Sequence, residues 1–254
     1  MTATYLYCVV AAATRPRINA RRRGLPGTGP VRVLNLDTGL YAVVADAPSS
    51  RYSEDVINKR LSDIDWVSRA AVAHEAVIEQ FVGARAVLPM KLFTIFTSDE
   101  RALDHLRAER ARIDALVTRV ADQAEWGVRV LLDRAAARAA ATYKPAASGR
   151  NNGLAYLAKK KARRDAAAEL ATRARETVAD LYDRLSARSR SARRRAPSDL
   201  PERGSLLLDA AFLVPRSKSA TFRRLAASEA RALAPHGYRV TMSGPWPPYS
   251  FVHD

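Results

Sequence analysis

Cysteine, aromatic residues and long apolar runs are all scarce in this sequence. Cys8 is the single cysteine among 254 residues, which excludes an internal disulfide and a cysteine-based zinc cluster. No run of about 18 apolar residues occurs, so a membrane-spanning helix is excluded. The hydrophobic fraction of 48% is still sufficient for a buried core, and this argues against a wholly disordered chain. These features favour a cytoplasmic protein without a membrane partner.

Acidic residues are outnumbered, and the resulting positive charge is concentrated in one segment. The chain carries 42 Lys and Arg residues against 26 Asp and Glu residues, a net charge of +16. Residues 134–195 alone hold 17 basic and 5 acidic side chains. The densest parts of this segment form a candidate basic patch of Lys159, Lys160, Lys161, Arg163, Arg164, Arg193, Arg194 and Arg195.

This basic segment supports two interpretations. Clustered cations can neutralise phosphates and bind nucleic acid, or they can form a solvated helix face followed by a flexible arm. Aromatic side chains for base stacking are few, since only Tyr143, Tyr156 and Tyr182 lie in the segment. The solvated face is the favoured interpretation, and nucleic-acid binding is the alternative.

The first apolar stretch, residues 5–13, ends in small residues and in this respect resembles a signal peptide. A signal peptide needs positive charge before its apolar region. Here residues 1–4 carry none, and the nearest arginines, Arg15 and Arg17, follow the stretch. It is therefore predicted to be a buried β-strand that includes Cys8 as an inert core thiol.

Strand-like and helix-like segments alternate unevenly along the chain. Stretches rich in β-branched and aromatic residues predict strands at 5–10, 31–36, 40–46, 87–96, 126–132, 205–214 and 238–242. Apolar residues spaced by three and four predict helices at 53–81 (one helix or two), 98–120, 152–187 and 217–233, with Ser53 and Ser98 as N-caps. Asp37-Thr38-Gly39 predicts a tight turn between the strands at 31–36 and 40–46. Residues 135–141 are alanine-rich and predicted helical, whereas the composition of 186–201 predicts a loop.

This order predicts an α+β fold with two α+β domains, residues 1–123 and 124–254. The C-terminal domain is expected to be a modified ferredoxin-like sheet with a long basic helix. It ends in a tail, residues 244–254, that is rich in proline and aromatic residues.

No constellation of residues indicates catalysis. His74 is followed by Glu75, but Ile78 stands where an H-E-x-x-H zinc motif needs its second histidine. His74 is therefore interpreted as a hydrogen-bonded, half-buried helix residue. The glycine-rich stretch 24–29 lacks the Gly-Lys-Ser/Thr ending of a phosphate-binding loop and is interpreted as a turn. No enzymatic activity, cofactor or metal is expected.

Eight motifs in order make nearly the whole chain resemble the gas vesicle protein F/L family. The matching segments are 5–10, 24–27, 40–44, 70–77, 87–94, 125–128, 153–157 with the Lys/Arg run after it, and 206–214. The tail Gly-Pro-Trp-Pro-Pro-Tyr-Ser-Phe at 244–251 is the most specific feature. Met90-Lys91-Leu92-Phe93 departs from the Arg-Phe-Gly type of sequence more frequent in the family, and the arginine-rich run at 188–195 is a local elaboration.

The resemblance implies a non-enzymatic role in the cytoplasm and at the gas vesicle. The expected partners are the major gas vesicle shell protein and other gas vesicle accessory proteins, and the expected role is to assist vesicle nucleation and assembly. A small, very apolar shell protein aggregates unless a partner shields it. An open strand edge could recruit it.

The tail is a second candidate surface for that contact. Aromatic side chains are typical interface anchors, but the same tail can fold back as core of its own domain, which is the favoured interpretation. Its candidate residues are Trp246, Pro247, Pro248, Tyr249 and Phe251.

Overall fold

The fold is mixed α/β with antiparallel sheets, and it divides into two compact units. The computed structural model describes residues 2–19, 24–133, 137, 153–195 and 205–252. Unit 1 comprises Met1–Glu125 and Pro245–Asp254, and unit 2 comprises Trp126–Gly244. The C-terminal tail, which the sequence places with the second half of the chain, thus groups with the first half.

The bounds of the described elements follow the chain. The strands are β1 (Thr2–Ala11), β2 (Arg32–Asp37), β3 (Leu40–Pro48), β4 (Ala86–Pro89), β5 (Ile95–Phe96), β6 (Gln123–Leu132), β7 (Ser191–Arg194), β8 (Ser205–Pro215) and β9 (Tyr238–Trp246). The helices are α1 (Ser49–Tyr52), α2 (Glu54–Arg60), α3 (Ile64–Ile78), α4 (Asp99–Ala108), α5 (Arg110–Val120), α6 (Gly153–Ser186), α7 (Ser219–Leu233) and α8 (Tyr249–Val252).

Unit 1 is built around β1. Its sheet has the strand order β2-β3-β1-β4, with β5 also paired to β1, and each of these pairs is antiparallel. Residues 5–10 of β1 are all fully buried. A strand covered on both faces reads as a continuous apolar run rather than as an alternation, so the predicted strand is confirmed and Cys8 lies in the core.

A tight turn joins β2 to β3. Gly39 has a φ of 72°, a backbone conformation that glycine adopts without steric cost. The Asp37 carboxylate accepts a hydrogen bond of 2.6 Å from the Thr38 backbone N–H. The hairpin predicted from Asp37-Thr38-Gly39 is confirmed.

Both long helical patterns of unit 1 are broken into shorter helices. Asp63 caps α3 by accepting a 3.0 Å hydrogen bond from the Trp66 backbone N–H, which ends the preceding helix and starts a new one. The predicted cap at Ser98 is confirmed by a 3.2 Å hydrogen bond from Arg101 N–H. Ser53 is the N-cap residue of α2, as predicted, although its side chain makes no capping hydrogen bond.

The strand predicted at 87–96 is two strands with a loop between them. β4 pairs with β1 at Cys8–Ala11, and β5 pairs with it at Thr4 and Tyr5. At the base of the loop Met90 N–H donates to Tyr7 C=O and Leu6 N–H donates to Thr94 C=O, each at 2.9 Å. On the other edge of β1, its pairing with β3 has a bulge-like register shift between Leu6 and Cys8.

In the part of unit 2 that the structure describes, one sheet packs with the two long helices α6 and α7. The strand order is β7-β8-β6-β9. Alternate residues of β6 and β8 pack with α6 and α7 in one core, as the two-residue period of a strand requires. This core includes Trp126, Val128, Val130, Val178, Leu181, Leu185, Ala210, Phe212, Val214 and Phe222.

The loop predicted at 186–201 is wrong at residues 191–194, which form β7. Ser191 pairs with Leu213 and Arg194 pairs with Ala210 in an antiparallel ladder. Composition concealed this strand because arginine has no strong β propensity. Charged residues on a short edge strand do, however, discourage pairing with another chain.

The helix predicted from 152 to 187 is confirmed as α6, whereas the predicted helix at 135–141 lies outside the described residues apart from Ala137. In the part of the chain that the structure describes, no helix is both long and apolar enough to cross a bilayer.

Candidate functional site and interaction surfaces

The tail folds onto unit 1. Pro247, Pro248, Phe251 and Val252 are buried, with Phe251 only 1% exposed, while Trp246 and Tyr249 are half-buried. Burying Phe251 removes a large apolar area from water. The tail is therefore attached by its apolar residues.

A buried carboxylate fixes the end of the tail. Glu125 is 2% exposed. It accepts hydrogen bonds from the backbone N–H and the hydroxyl of Ser250, both at 2.8 Å. Arg119 adds a hydrogen bond of 3.3 Å to the carbonyl of Phe251. Charged hydrogen bonds of this kind are stronger than neutral ones, so the tail has a specific as well as an apolar attachment.

Tyr249 lies among acidic groups of unit 1. Burial raises the pKa of its phenol, and the carboxylates of Glu75, Glu79 and Glu125 add to the same shift. Its hydroxyl is buried and forms no hydrogen bond with a described residue. Tyr249 is therefore neutral at physiological pH.

His74 lies at the centre of a buried hydrogen-bond cluster. Its Nε2 is 3.1 Å from the Met90 carbonyl, and its Nδ1 is 2.7 Å from the Tyr5 hydroxyl. A carbonyl only accepts, so Nε2 carries the proton and Nδ1 accepts from Tyr5. The Tyr5 hydroxyl also accepts from the Phe93 backbone N–H at 3.1 Å. Burial lowers the pKa of His74 to about 4, which keeps the ring neutral at pH 7.

This cluster has a structural role, as the sequence interpretation of His74 expects. Tyr5 and His74 together hold both Met90 and Phe93, the ends of the loop that departs from the family pattern. The His74 ring is 5% exposed, less than the half-buried state expected. The Cys8 thiol is also in the core, and burial raises its pKa, so it is protonated and inert.

The loop stores backbone strain at Phe93. This residue has a φ of 65°, in the left-handed region that disfavours bulky side chains. Its ring stacks on Trp66 with 5.0 Å between ring centres and an interplanar angle of 11°. The Arg60 guanidinium covers the Trp66 ring at 4.7 Å. The sequence analysis did not predict this arrangement. The available signal was that Met90-Lys91-Leu92-Phe93 replaces the Arg-Phe-Gly type of sequence more frequent in the family.

Large aliphatic side chains are exposed on α3 and in the turn before it. Leu61 is 53% exposed, Ile64 77% and Val72 67%. We call these three residues the aliphatic set. Exposed aliphatic side chains contribute no burial free energy to the stability of the isolated fold. The sequence analysis did not single out these three residues.

The predicted basic patch is distributed over two elements of unit 2. Lys160, Lys161, Arg163 and Arg164 are exposed on α6, whereas the side chain of Lys159 lies outside the described part. The remaining residues lie on or next to β7.

Unlike Lys160, Arg163 and Arg164 on α6, the β7 arginines Arg194 and Arg195 have contacts within unit 2. The Arg194 guanidinium covers the Tyr182 ring at 4.5 Å. Arg195 Nε donates to Asp209 at 2.7 Å, and Arg129 Nε donates to the other oxygen of that carboxylate at 2.9 Å. Arg193 is half-buried. Arg194 and Arg195 therefore contribute to the sheet itself.

The protein is of the mixed α/β class, with antiparallel sheets packed against helices and polar clusters that hold individual segments in place. The described residues contain no cluster of potential metal ligands. The particular family follows from comparison with known proteins. The chain belongs to the gas vesicle synthesis protein GvpL/GvpF family, whose model matches residues 3–253.

Individual relatives agree with this assignment. The chain is 32% identical to gas vesicle protein L of Streptomyces sp. (strain CB03234), over 96% of this chain and 91% of the relative. It is 29% identical to gas vesicle protein F of the same organism, over 98% and 99% of the two chains. It is also 27% identical to gas vesicle protein L2 of Halobacterium salinarum, over 98% and 91%.

Solved structures show the same fold. The crystal structure of GvpF from Anabaena sp. PCC7120 superposes with a TM-score of 0.71 at 19% identity, covering 100% of this chain and 97% of that one. GvpF from Microcystis aeruginosa gives a TM-score of 0.69 at 17% identity, covering 99% of both chains.

Proposed function

We propose that this protein is a non-enzymatic accessory or minor structural protein of the gas vesicle. In this role it binds the major shell protein and other accessory proteins and assists vesicle nucleation and assembly. The observation that carries the proposal is the family match over residues 3–253. It implies a protein located in the cytoplasm and at the vesicle.

The aliphatic set supports this role physically. A very apolar shell subunit aggregates in water unless other apolar surface covers it. Leu61, Ile64 and Val72 offer aliphatic surface of that kind on unit 1. Since their side chains are largely exposed in the isolated chain, covering them with a partner adds favourable burial at no cost to the fold.

Co-purification tests the proposal. The tagged protein is co-expressed with the major shell protein and its companion accessory proteins, then recovered at moderate salt in the presence of nuclease. We expect shell or accessory subunits in the eluate. If the wild-type chain recovers neither, the assembly role is wrong.

A pair of variants locates the contact. Leu61→Gln with Ile64→Gln is expected to reduce recovery of the shell protein without changing the melting temperature, since both side chains are exposed. Ser68→Gln is the matched control, because Ser68 is exposed on the same helix but outside the aliphatic set. Unchanged recovery with the double variant would move the shell contact to another surface.

The domain organisation is also a proposal. We propose that the two units are the two domains of the chain, divided near residue 125 and with the tail as a structural part of the first. The hydrogen bonds of Ser250 to Glu125 support this role of the tail. Trp246→Ala distinguishes core from interface: a large fall in melting temperature supports core, whereas lost partner binding at unchanged melting temperature supports interface.

We further propose that unit 2 is a modified ferredoxin-like domain with α6 as its long basic helix. The order β-α-β-β-α-β along the chain and the strand order β7-β8-β6-β9 support it. Amide protection of β6 and β8, the two central strands, should exceed that of β7 and β9 at the edges.

Nucleic-acid binding through 134–195 is the alternative function. The exposed cations of α6 are the observation on its side. Binding of this kind falls steeply with salt. Recovery of nucleic acid alone when nuclease is omitted, and of no partner when it is present, would favour this alternative over the assembly role.

A further inference from the structure

The helix α6 changes character halfway along its length. From Leu157 to Glu169 every described side chain is exposed, whereas Ala174, Val178 and Leu185 are at most 3% exposed. At 1.5 Å per residue the exposed half is about 20 Å long. It is rich in alanine, which has the highest helix propensity and sustains a helix without packing.

One stripe of side chains runs through both halves. It passes along the helix in steps of three and four, so its members lie on one face. Its buried members in the second half are Ala174, Val178, Leu181 and Leu185. Its members in the exposed half are Leu157, Lys160, Arg163 and Arg164, followed by Ala167. The face that packs on the sheet is thus continued by a face with three cations and one exposed leucine.

The cations of this exposed stripe are available for a partner. Within the described part of the chain, no residue forms an ion pair with Lys160, Arg163 or Arg164. Leu157, one turn before Lys160, is 59% exposed. Leu157, Lys160, Arg163 and Arg164 are hereafter called the basic stripe.

The opposite side of the same helix carries charges of both signs, because Lys161 lies next to Asp165 there. Asp165 and Glu169 lie about 140° and 180° around the helix from Lys160, at about 100° per residue. Glu169 forms a 3.5 Å ion pair with Arg173, one turn further on. Both carboxylates of the exposed half therefore lie away from the basic stripe, which carries positive charge only.

We propose that the basic stripe docks an acidic amphipathic helix of a partner protein. Carboxylates spaced by three and four on such a helix match Lys160, Arg163 and Arg164, and an apolar residue among them covers Leu157. This proposal does not depend on the gas vesicle role proposed above, since it is carried by charge and exposure on α6 alone.

The same observations disfavour nucleic acid as the occupant. A helix in the major groove has phosphates on both sides, so Asp165 and Glu169 would face one of the backbones. No aromatic residue occurs between 157 and 169 for base stacking. The exposed Leu157 at one end of the contact surface also has no counterpart on a phosphate backbone.

Fluorescence anisotropy on the full chain tests the proposal. The probe is a labelled amphipathic peptide of about six helical turns in which glutamate recurs every three to four residues beside leucine. Lys160→Gln with Arg163→Gln and Arg164→Gln should weaken binding at least tenfold. Leu157→Ala should weaken it about fivefold, because apolar burial is lost. Circular dichroism checks that α6 stays helical.

Two controls make the result specific. Arg188→Gln with Arg224→Gln and Arg231→Gln removes the same net charge from exposed positions of unit 2 and should change the affinity less than twofold. A scrambled peptide of identical composition should bind at least tenfold more weakly. An equal loss with the control variant, or equal binding of the scrambled peptide, overturns the proposal.

A duplex DNA probe of about 20 base pairs supplies the remaining comparison. If the duplex binds more tightly than the peptide and Leu157→Ala leaves that binding unchanged, the occupant is nucleic acid and the proposal is wrong. Peptide binding that exceeds duplex binding at the same salt concentration and depends on Leu157 supports it.

Discussion

The C-terminal tail and the exposed half of α6 carry opposite chemistry, and they lie in opposite environments. The tail is apolar, and Phe251 is 1% exposed. Residues 157–169 are rich in charge and alanine and are exposed wherever their side chains are described. Both segments stand out in the sequence as candidate binding sites. The comparison shows that an aromatic motif is ambiguous between core and interface, whereas a cluster of cations without carboxylate partners stays in solvent.

The strongest test of this contrast is Phe251→Ala. We expect it to destabilise the fold by about 3–5 kcal/mol, because it deletes a buried aromatic ring and leaves a cavity. Chemical denaturation measures the change. Ile64→Ala is the control and should cost less than about 0.5 kcal/mol, since Ile64 is 77% exposed. If the tail were an unattached interface segment, Phe251→Ala and Ile64→Ala would both change the free energy of unfolding by similar, small amounts.

The buried His74 cluster should make unit 1 sensitive to acid. The pKa of His74 falls from 6.5 to about 4 in the folded state, so folding favours the neutral ring. Its contribution is complete above pH 6.5 and is lost as the pH falls towards 4, about 3 kcal/mol in all. The free energy of unfolding measured between those pH values shows it.

Variants separate this effect from the carboxylates that titrate in the same range. His74→Gln should flatten the pH dependence relative to wild type, at some cost in stability at pH 7. His236→Gln should leave the wild-type profile unchanged, because His236 is exposed. Identical profiles for wild type and His74→Gln would contradict the assigned cluster.

Strain at Phe93 gives a smaller and more specific effect. Phe93→Ala loses the stack on Trp66 but keeps a side chain at a φ of 65°. Phe93→Gly loses the same stack and relieves the backbone, so it should be more stable than Phe93→Ala by about 1 kcal/mol. At Val72, an exposed position inside α3, the order should reverse, because glycine destabilises a helix interior relative to alanine. Thermal unfolding of the four variants decides the matter.

The smallest expected effect is on the exposed side of the comparison. Replacing Lys160, Arg163 and Arg164 together by glutamine should change the free energy of unfolding by less than about 0.5 kcal/mol. Ala174→Gln lies on the same stripe but is 1% exposed, and should cost several times more by overpacking the core. Similar values for the two variants would mean that the exposed half of α6 packs against the fold.

Local sequence patterns predicted most elements because those elements depend on their own residues. The Asp37-Thr38-Gly39 turn and the Ser98 cap form through hydrogen bonds within three residues. The predictions that were wrong depend on partners distant in sequence. β7 is a strand because Ser191 to Arg194 pair with β8, and 87–96 splits into two strands because β4 and β5 pair with separate parts of β1.

One candidate surface could be located from the sequence, and the other could not. Charge composition located Lys160, Arg163 and Arg164, and their exposure follows from the cost of burying unpaired cations. The aliphatic set could not be found from sequence, because Leu61, Ile64 and Val72 fit a helical apolar pattern as well as any core residue does. Only packing reveals that Trp66 and Ala70 take the buried face and leave them outside.

The sequence by itself determined that this is a basic α+β chain with a core, one inert cysteine, and a motif order that resembles one family. Charge and composition are sums over the residues, and motifs depend only on residues that are neighbours in the chain. The tertiary structure decided which apolar segments became core: Phe251 is buried and Ile64 is exposed, although both side chains are large and hydrophobic. Burial is a property of the whole packed arrangement, in which each surface competes for a limited number of partners.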